Sequence, residues 1–138
     1  MDFKDKKAIS VLSAEDDEDY FSLLECILTS ELGVETVLHA ANGEELVNRL
    51  KKCAENKESS HWPDLILLDL NMPKKSGLEA LQEIRNNPKI PKIKIFILSV
   101  SKDAHDIEKS YSLGADSFIT KPTNIMDLVG ILRKVLAH

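Results

Sequence analysis

The chain has 138 residues, of which 43% are hydrophobic and 30% are charged, and a formal net charge of −5. This length and balance predict one soluble globular domain over residues 1–138 and leave no room for two ordinary domains. The acidic charge argues against proteins that bind nucleic acids or anionic membranes through a basic face, and no apolar run approaches the roughly 20 residues of a membrane helix. The N-terminal residues hold no apolar stretch long enough for a secretory signal, so we expect a cytoplasmic location. Cys26 and Cys53 lack the spacing of a zinc site and are predicted to be small buried residues in helices.

Five short apolar segments, rich in β-branched residues, are spaced along the chain and predict buried parallel strands. They are residues 8–13, 34–39, 65–68, 93–98 and 117–120. Between and after them, apolar residues recur every three or four positions, as in the stripe Leu46, Leu50 and Ala54, and predict five amphipathic helices. The fourth helical segment, residues 103–113, has the thinnest apolar stripe, which favours a helix that is only shallowly seated on the sheet.

Strands that alternate with helices predict a parallel sheet covered on both faces, because parallel strands need crossover connections and both faces need burial. Right-handed crossovers leave few topologies for five such units. The simplest is a doubly wound α/β fold with a five-stranded parallel sheet in the order 2-1-3-4-5. In such sheets ligands bind beyond the carboxyl ends of the strands at the switch point, here between strands 1 and 3. Residues that directly follow these two strands are therefore the candidates for a functional site.

Acidic residues follow both strands that flank the predicted switch point. Glu15, Asp16 and Asp17 come at the end of the first strand, and Asp69 comes directly after the third. Like charges held close together repel one another unless a cation neutralises them, and Mg2+ takes a few carboxylates while keeping positions for water and phosphate oxygens. The simpler alternative is that residues 15–17 cap the first helix. Three acidic residues opposite Asp69 favour the magnesium site.

Two further polar residues lie at the same predicted edge of the sheet. Ser99 ends the fourth strand and Lys121 ends the fifth. Taken singly, Ser99 is weak evidence for a site, and Lys121 is better explained as an ordinary surface lysine. Together with the carboxylates they predict a phosphoryl-transfer site in which Asp69 is the nucleophile, while the metal and Lys121 neutralise charge on the phosphoryl oxygens. The sequence contains no nucleotide-binding glycine loop, so ATP is disfavoured as the donor.

Four short motifs occur in chain order at the predicted strand ends. They are Glu15-Asp16-Asp17, the block 67–73 with Gly77 behind it, Ser99, and the block 118–122 with Gly114-Ala115 before it. In this combination the chain resembles the bacterial response-regulator receiver family, of the chemotaxis-regulator type, over residues 11–136. The resemblance implies a (βα)5 flavodoxin-like receiver fold and a role in two-component, or phosphorelay, signal transduction.

The resemblance also implies a role for each of the matched positions. The family's magnesium ligands are matched by Glu15, Asp16, Asp69 and the backbone carbonyl of Asn71. Its phosphoacceptor is matched by Asp69, its invariant lysine by Lys121, and its switch hydroxyl and switch aromatic by Ser99 and Phe118. The implied phosphoryl donor is a phosphohistidine on a sensor histidine kinase or a phosphotransfer protein.

The implied output is a change of surface rather than turnover of a substrate. The protein is expected not to be an enzyme, apart from catalysing its own aspartyl phosphorylation and dephosphorylation. Phosphorylation would draw the Ser99 hydroxyl toward the phosphoryl group and let Phe118 rotate, which repacks the surface of helix 4, strand 5 and helix 5. We expect a monomer or a phosphorylation-linked homodimer. Only two residues follow the fifth helix, so a complete chain would act on a downstream protein and not on DNA.

Three positions depart from the commonest family pattern. Glu15 replaces the usual first aspartate and lengthens one ligand arm, and Phe118 lacks the hydroxyl of the usual tyrosine. Val100 follows the switch serine where the family generally has a small residue, which predicts narrower access to the phosphoacceptor and slower transfer or hydrolysis. The polar segment 55–63 and the block 68–81 are similar to single-domain receivers that are paired with phytochrome-like histidine kinases.

Two other functions could use the same residues. A phosphatase of the haloacid-dehalogenase type also uses an aspartyl nucleophile, but it needs a second aspartate two positions later, where this chain has Asn71. A pseudoreceiver, which binds partners without being phosphorylated, would have lost an acidic or lysine position. None of these positions is lost, and only Val100 favours that alternative.

Overall fold

The computed structural model describes residues 8–56 and 62–136 of the chain. The strands are β1 Ser10–Ala14, β2 Thr36–Ala40, β3 Leu65–Leu68, β4 Lys94–Ser99 and β5 Ser117–Thr120. The helices are α1 Glu18–Ser30, α2 Gly43–Glu55, α3 Gly77–Asn86, α4 Ala104–Ser112 and α5 Ile125–Leu136. Within the polar segment predicted between α2 and β3, residues 57–61 lie outside the described residues.

The five strands form one parallel sheet in the order β2-β1-β3-β4-β5, which confirms the predicted topology. The third and fifth strands have the predicted bounds, whereas the first, second and fourth begin and end one or two residues later than the apolar segments that predicted them. Hydrogen-bond register sets these ends, since Ser10 pairs with Thr36 and Ser99 pairs with Thr120. Hydrophobicity alone does not report where pairing starts.

The sheet separates two hydrophobic layers, because alternate side chains of a strand point to opposite faces. Ile66 and Leu68 of β3 belong to the layer that α2 and α3 cover. Leu65 and Leu67 belong to the layer that α1 and α5 cover. All four side chains are fully buried, which explains why β3 is a continuous apolar run.

α4 is the least buried of the helices. Of its nine residues, all described, only Ser110 is buried. Ile107 is half-buried, and Tyr111 is 48% exposed. The thin apolar stripe therefore does correspond to a shallowly seated helix, as the sequence predicts.

The helix ends follow from local capping chemistry. Asp17, Asn42 and Ser76 accept hydrogen bonds from the first free backbone N–H groups of α1, α2 and α3. Such caps each stabilise a helix by about 1 kcal/mol.

The prediction that both cysteines are buried is wrong. Cys26 is exposed, because it lies on the solvent side of α1, while Cys53 is half-buried.

Candidate functional site

The carboxyl ends of β1 and β3 place two acidic residues side by side. Ala14 and Leu68 are register partners at the ends of these strands, and Glu15 and Asp69 are the next residues of each chain segment. The backbone N–H of Asp69 donates to the Ala14 carbonyl at 3.1 Å, so the pairing continues into the site. Both acidic residues are buried.

Three carboxylates converge at this edge. Glu15, Asp16 and Asp69 each offer an oxygen, and these oxygens lie within 4.8 Å of one another. Oxygen ligands of one Mg2+ lie about 2.1 Å from the ion, and therefore at most about 4.2 Å apart. A small contraction of the cluster would place all three on one ion. The donor set of hard oxygens and its spacing therefore fit a divalent metal ion.

Lys121 bridges two of these carboxylates. Its Nζ lies 2.7 Å from Glu15 Oε1 and 3.1 Å from Asp69 Oδ2, and its side chain is only 11% exposed. The lysine is held at the edge of β5 by its own N–H, which donates to the Ser99 carbonyl at 2.7 Å. One ammonium among three ionised carboxylates leaves the group with two excess negative charges, the charge that a divalent ion would neutralise.

The protonation equilibria reflect this burial. Burial raises the pKa of Glu15 above its usual value, although the hydrogen bond from Lys121 favours the ionised carboxylate. Burial disfavours the charged form of Lys121 as well, but its hydrogen bond to Glu15 and the charge of Asp69 outweigh that effect, so the pKa of Lys121 is raised. Lys121 is therefore a fixed positive charge at neutral pH.

The loop after β3 is held against the phosphoacceptor candidate. The backbone N–H of Asn71 donates to Asp69 Oδ1 at 3.1 Å, which orients that carboxylate. Gly77 begins the next helix so close to Asp69 that a Cβ atom there would lie 2.3 Å from the Asp69 carbonyl oxygen. A residue with a side chain would clash with the Asp69 backbone at this position, so the motif requires a glycine here.

The two predicted switch residues lie on the neighbouring strands. Ser99 is fully buried at the end of β4, and its Oγ accepts from the Ser101 N–H at 3.2 Å. Phe118 is half-buried on β5, and its N–H donates to the Tyr111 hydroxyl at 3.0 Å. Val100 is 66% exposed, and its effect on access to the site stays a prediction.

Tyr20 is a site residue that was not predicted. The Lys121 Nζ lies 4.2 Å from the centroid of its ring, a distance typical of a cation–π contact. Its hydroxyl is buried and has no hydrogen-bond partner among the described residues. Burial raises the pKa of Tyr20, opposed by the positive charge of Lys121. Tyr20 is the third residue of α1, and because its contact with Lys121 depends on how α1 rotates on the sheet, no local sequence pattern indicates it.

His39 is a second unpredicted neighbour. Its Nε2 lies 2.7 Å from the Glu15 carbonyl oxygen, and because a carbonyl only accepts, Nε2 carries the proton. The ring stacks on Phe21 of α1 with centroids 4.0 Å apart. His39 therefore ties the end of β1 to β2 and α1. His39 is the register partner of Ser13 in the sheet. This position is known only from the pairing of β1 with β2.

Comparison with known proteins agrees with this geometry. The family described as Response regulator receiver domain matches residues 11–133, and the chain belongs to this family. Among curated relatives, the response regulator Rcp1 of Synechocystis sp. is 41% identical over 78 residues, which are 56% of this chain and 53% of Rcp1. The matched part of the chain thus spans about half the length of the curated relatives.

Two solved structures are similar over nearly the whole chain. The phosphorylated cyanobacterial phytochrome response regulator RcpA is 32% identical, with a TM-score of 0.81 over 93% of this chain and 91% of that one. The Mn2+-bound form of Rcp1 is 31% identical, with a TM-score of 0.79 over 92% and 91%. The predicted receiver fold and the predicted likeness to phytochrome-associated regulators are therefore confirmed. In the described part of the chain, no helix is both long and apolar enough to cross a membrane.

Proposed function

We propose that residues 1–138 form a single receiver domain that accepts a phosphoryl group on Asp69 from a phosphohistidine of a histidine kinase or phosphotransfer protein. The observation that carries the proposal is the Lys121 bridge, which places a fixed ammonium against a buried aspartate beside two further carboxylates. Buried charges arranged in this way are costly for folding and are typical of functional sites.

Each group of the site has a defined task in the transfer. A carboxylate oxygen of Asp69 attacks the phosphorus in line, the P–N bond to the imidazole breaks, and the imidazole leaves with the bonding electron pair. Lys121 moves from Asp69 to an oxygen of the phosphoryl group and offsets its charge. Glu15, Asp16, Asp69 and the Asn71 backbone carbonyl would hold Mg2+, which neutralises negative charge on the phosphoryl oxygens when bound.

The proposed output begins at Ser99. Its Oγ is the acceptor for the Ser101 N–H, and the Ser101 hydroxyl donates to Asp106 of α4 at 2.7 Å. If the Ser99 hydroxyl turns toward a phosphoryl group, Ser101 loses this acceptor and the start of α4 loses a fixed support. Phe118 then rotates on β5, and the surface of α4, β5 and α5 repacks. The shallow seating of α4 supports this step, since it has little apolar contact to lose.

The partners and location follow from the same proposal. The donor is a sensor histidine kinase or a phosphotransfer protein, and the similarity to RcpA, described as a phytochrome response regulator, makes phytochrome-type kinases the first to test. The domain works in the cytoplasm as a monomer or as a phosphorylation-linked homodimer and acts on a downstream protein. Its chemistry is confined to its own aspartyl phosphate, including the hydrolysis that resets it, and Val100 sets part of that rate.

Incubation with acetyl phosphate and Mg2+, followed by intact-mass measurement, tests the proposal. We expect one phosphate adduct on the wild-type chain and none on Asp69→Asn. Glu79→Gln, an exposed change on α3, is the matched control and should keep the adduct. No adduct with acetyl phosphate or with any histidine-kinase donor, together with no binding of Mg2+, would reject phosphorylation and leave the pseudoreceiver as the function.

A further inference from the structure

The ammonium of Lys121 has an aromatic neighbour in addition to its two carboxylates. Glu15 and Asp69 contact it through hydrogen bonds, and the ring of Tyr20 lies on another side, 4.2 Å away at its centroid. Tyr20 is half-buried and packs against the core layer of α1 and α5. The ring thus forms an apolar wall of the site beside the Lys121 ammonium.

We propose that Tyr20 is a positioning residue for phosphoryl transfer, and that its ring face holds the Lys121 ammonium within reach of Asp69. The inference rests on the proposed function, since it assigns a role in the transfer to Asp69. Tyr20 acts through Lys121, with its aromatic face as the acting group.

Tyr20 is itself fixed, which a positioning residue must be. Asp17 caps α1, and its Oδ1 accepts from the N–H groups of Asp19 and Tyr20 at 3.0 and 3.2 Å. The Tyr20 ring packs on the core layer beneath. Lys121, in contrast, has a flexible four-carbon stem whose many rotamers would spread the ammonium over a wide volume. A rigid ring next to a flexible lysine reduces the positions that the ammonium can occupy.

The ring face also suits a charge that must change partners. When a phosphoryl group reaches Asp69, Lys121 exchanges the Asp69 oxygen for a phosphoryl oxygen, and its hydrogen bonds change direction. Attraction between a cation and an aromatic face depends far less on direction than a hydrogen bond does. The ring therefore keeps hold of the ammonium throughout this exchange. The Tyr20 hydroxyl is unpaired among the described residues, so the hydrogen bonds of this site give it no part in holding Lys121.

Two variants separate the ring from the hydroxyl. Tyr20→Phe keeps the aromatic face, and Tyr20→Leu replaces it with an aliphatic side chain. With acetyl phosphate and saturating Mg2+, we expect Tyr20→Phe to be phosphorylated at the wild-type rate. Tyr20→Leu should be slower by roughly 2- to 30-fold, the range that corresponds to cation–π contacts from exposed to desolvated sites. Mg2+ affinity should not change in either variant, because Tyr20 is no metal ligand.

NMR of the unphosphorylated protein gives a second readout that packing alone does not move. Protons over an aromatic face are shielded, so the Lys121 ε-methylene protons should resonate upfield in the wild type and in Tyr20→Phe, and return to ordinary values in Tyr20→Leu. Because this measurement needs no phosphoryl group, it tests the contact even if the chain never becomes phosphorylated. In that case the failure belongs to the proposed function.

Three outcomes would overturn the inference. Equal phosphorylation rates in Tyr20→Leu and the wild type would show that the ring is dispensable. Equal slowing in Tyr20→Phe and Tyr20→Leu would assign the role to the hydroxyl. Loss of Mg2+ binding along with the rate in Tyr20→Leu would show that the substitution disturbs the carboxylates rather than Lys121.

Discussion

The molecule contains two small groups of ions that are built in opposite ways. In the first, Lys121 lies between Glu15 and Asp69, and all three side chains are almost completely buried. In the second, Glu83 of α3 lies between Lys51 and Lys75, and these three side chains are a quarter to a half exposed. The buried group carries an excess of one negative charge, and the exposed Asp16 beside it adds a second. The surface group carries an excess of one positive charge, which water screens.

The difference indicates which group is functional. Surface ion pairs contribute little to stability and cost little to form, so the Glu83 group needs no ligand. A buried group with unbalanced charge opposes folding, and burial raises the pKa of Glu15 in agreement with this cost. Such a group is retained where a cation or another charged ligand completes it. The burial of unbalanced charge, more than the number of acidic residues, distinguishes the site.

Replacing Lys121 by methionine would increase the excess negative charge of the buried group. It should have the largest effect on the free energy of unfolding. The change keeps the length of the side chain and removes its charge, leaving Glu15 and Asp69 buried without a cationic partner. We expect the free energy of unfolding to fall by about 3 kcal/mol in metal-free buffer, as for other buried pairs that lose one member. Urea denaturation measures this change. Mg2+ should stabilise the variant more than the wild type, because the ammonium no longer competes for the same oxygens.

The matched control is Lys75→Met in the surface group. Because Lys75 is partly exposed and Glu83 keeps Lys51, we expect the free energy of unfolding to change by less than about 1 kcal/mol. Similar losses in the two variants would contradict the distinction between the groups.

Replacing Asp69 by asparagine would instead reduce the excess negative charge of the buried group. The amide keeps the shape of the side chain, and its single oxygen can accept from either Lys121 or the Asn71 N–H, while one of three like charges disappears. We expect the free energy of unfolding to rise by about 1 kcal/mol without metal, as is common when a strained functional site is relieved. Thermal unfolding with a chelator and with Mg2+ measures both effects, and Mg2+ should stabilise the variant much less. A variant less stable than the wild type in chelator would show that the carboxylates do not strain the fold.

The sequence predicts the charged half of this site but not its surroundings. Glu15, Asp16 and Asp69 could be predicted because apolar segments locate strand ends, and the parallel topology brings those ends together. The contacts of Tyr20 and His39 could not, since they depend on how α1 rotates on the sheet and on strand register. Neither quantity is set by local composition. Pairing register also explains why the bounds of three strands differ from the predicted ones.

Replacing Glu83 by glutamine tests the surface group and should have the smallest effect. The hydrogen bond from Lys75, with help from Lys51, lowers the pKa of Glu83 below its usual value of 4.5. A lowered folded-state pKa means that the ion pair stabilises the fold fully above about pH 4.5, and that this contribution is lost as the pH falls through the folded value. Because the carboxylate is one-third exposed, we expect Glu83→Gln to lower the free energy of unfolding by about 0.5 kcal/mol at neutral pH. The difference in the free energy of unfolding between the variant and the wild type should shrink in acid. It should also shrink in about 1 M NaCl, because salt at this concentration screens the ion pair. Urea denaturation across pH and salt measures it, and a difference that stayed constant in both series would show that Glu83 acts through packing instead of charge.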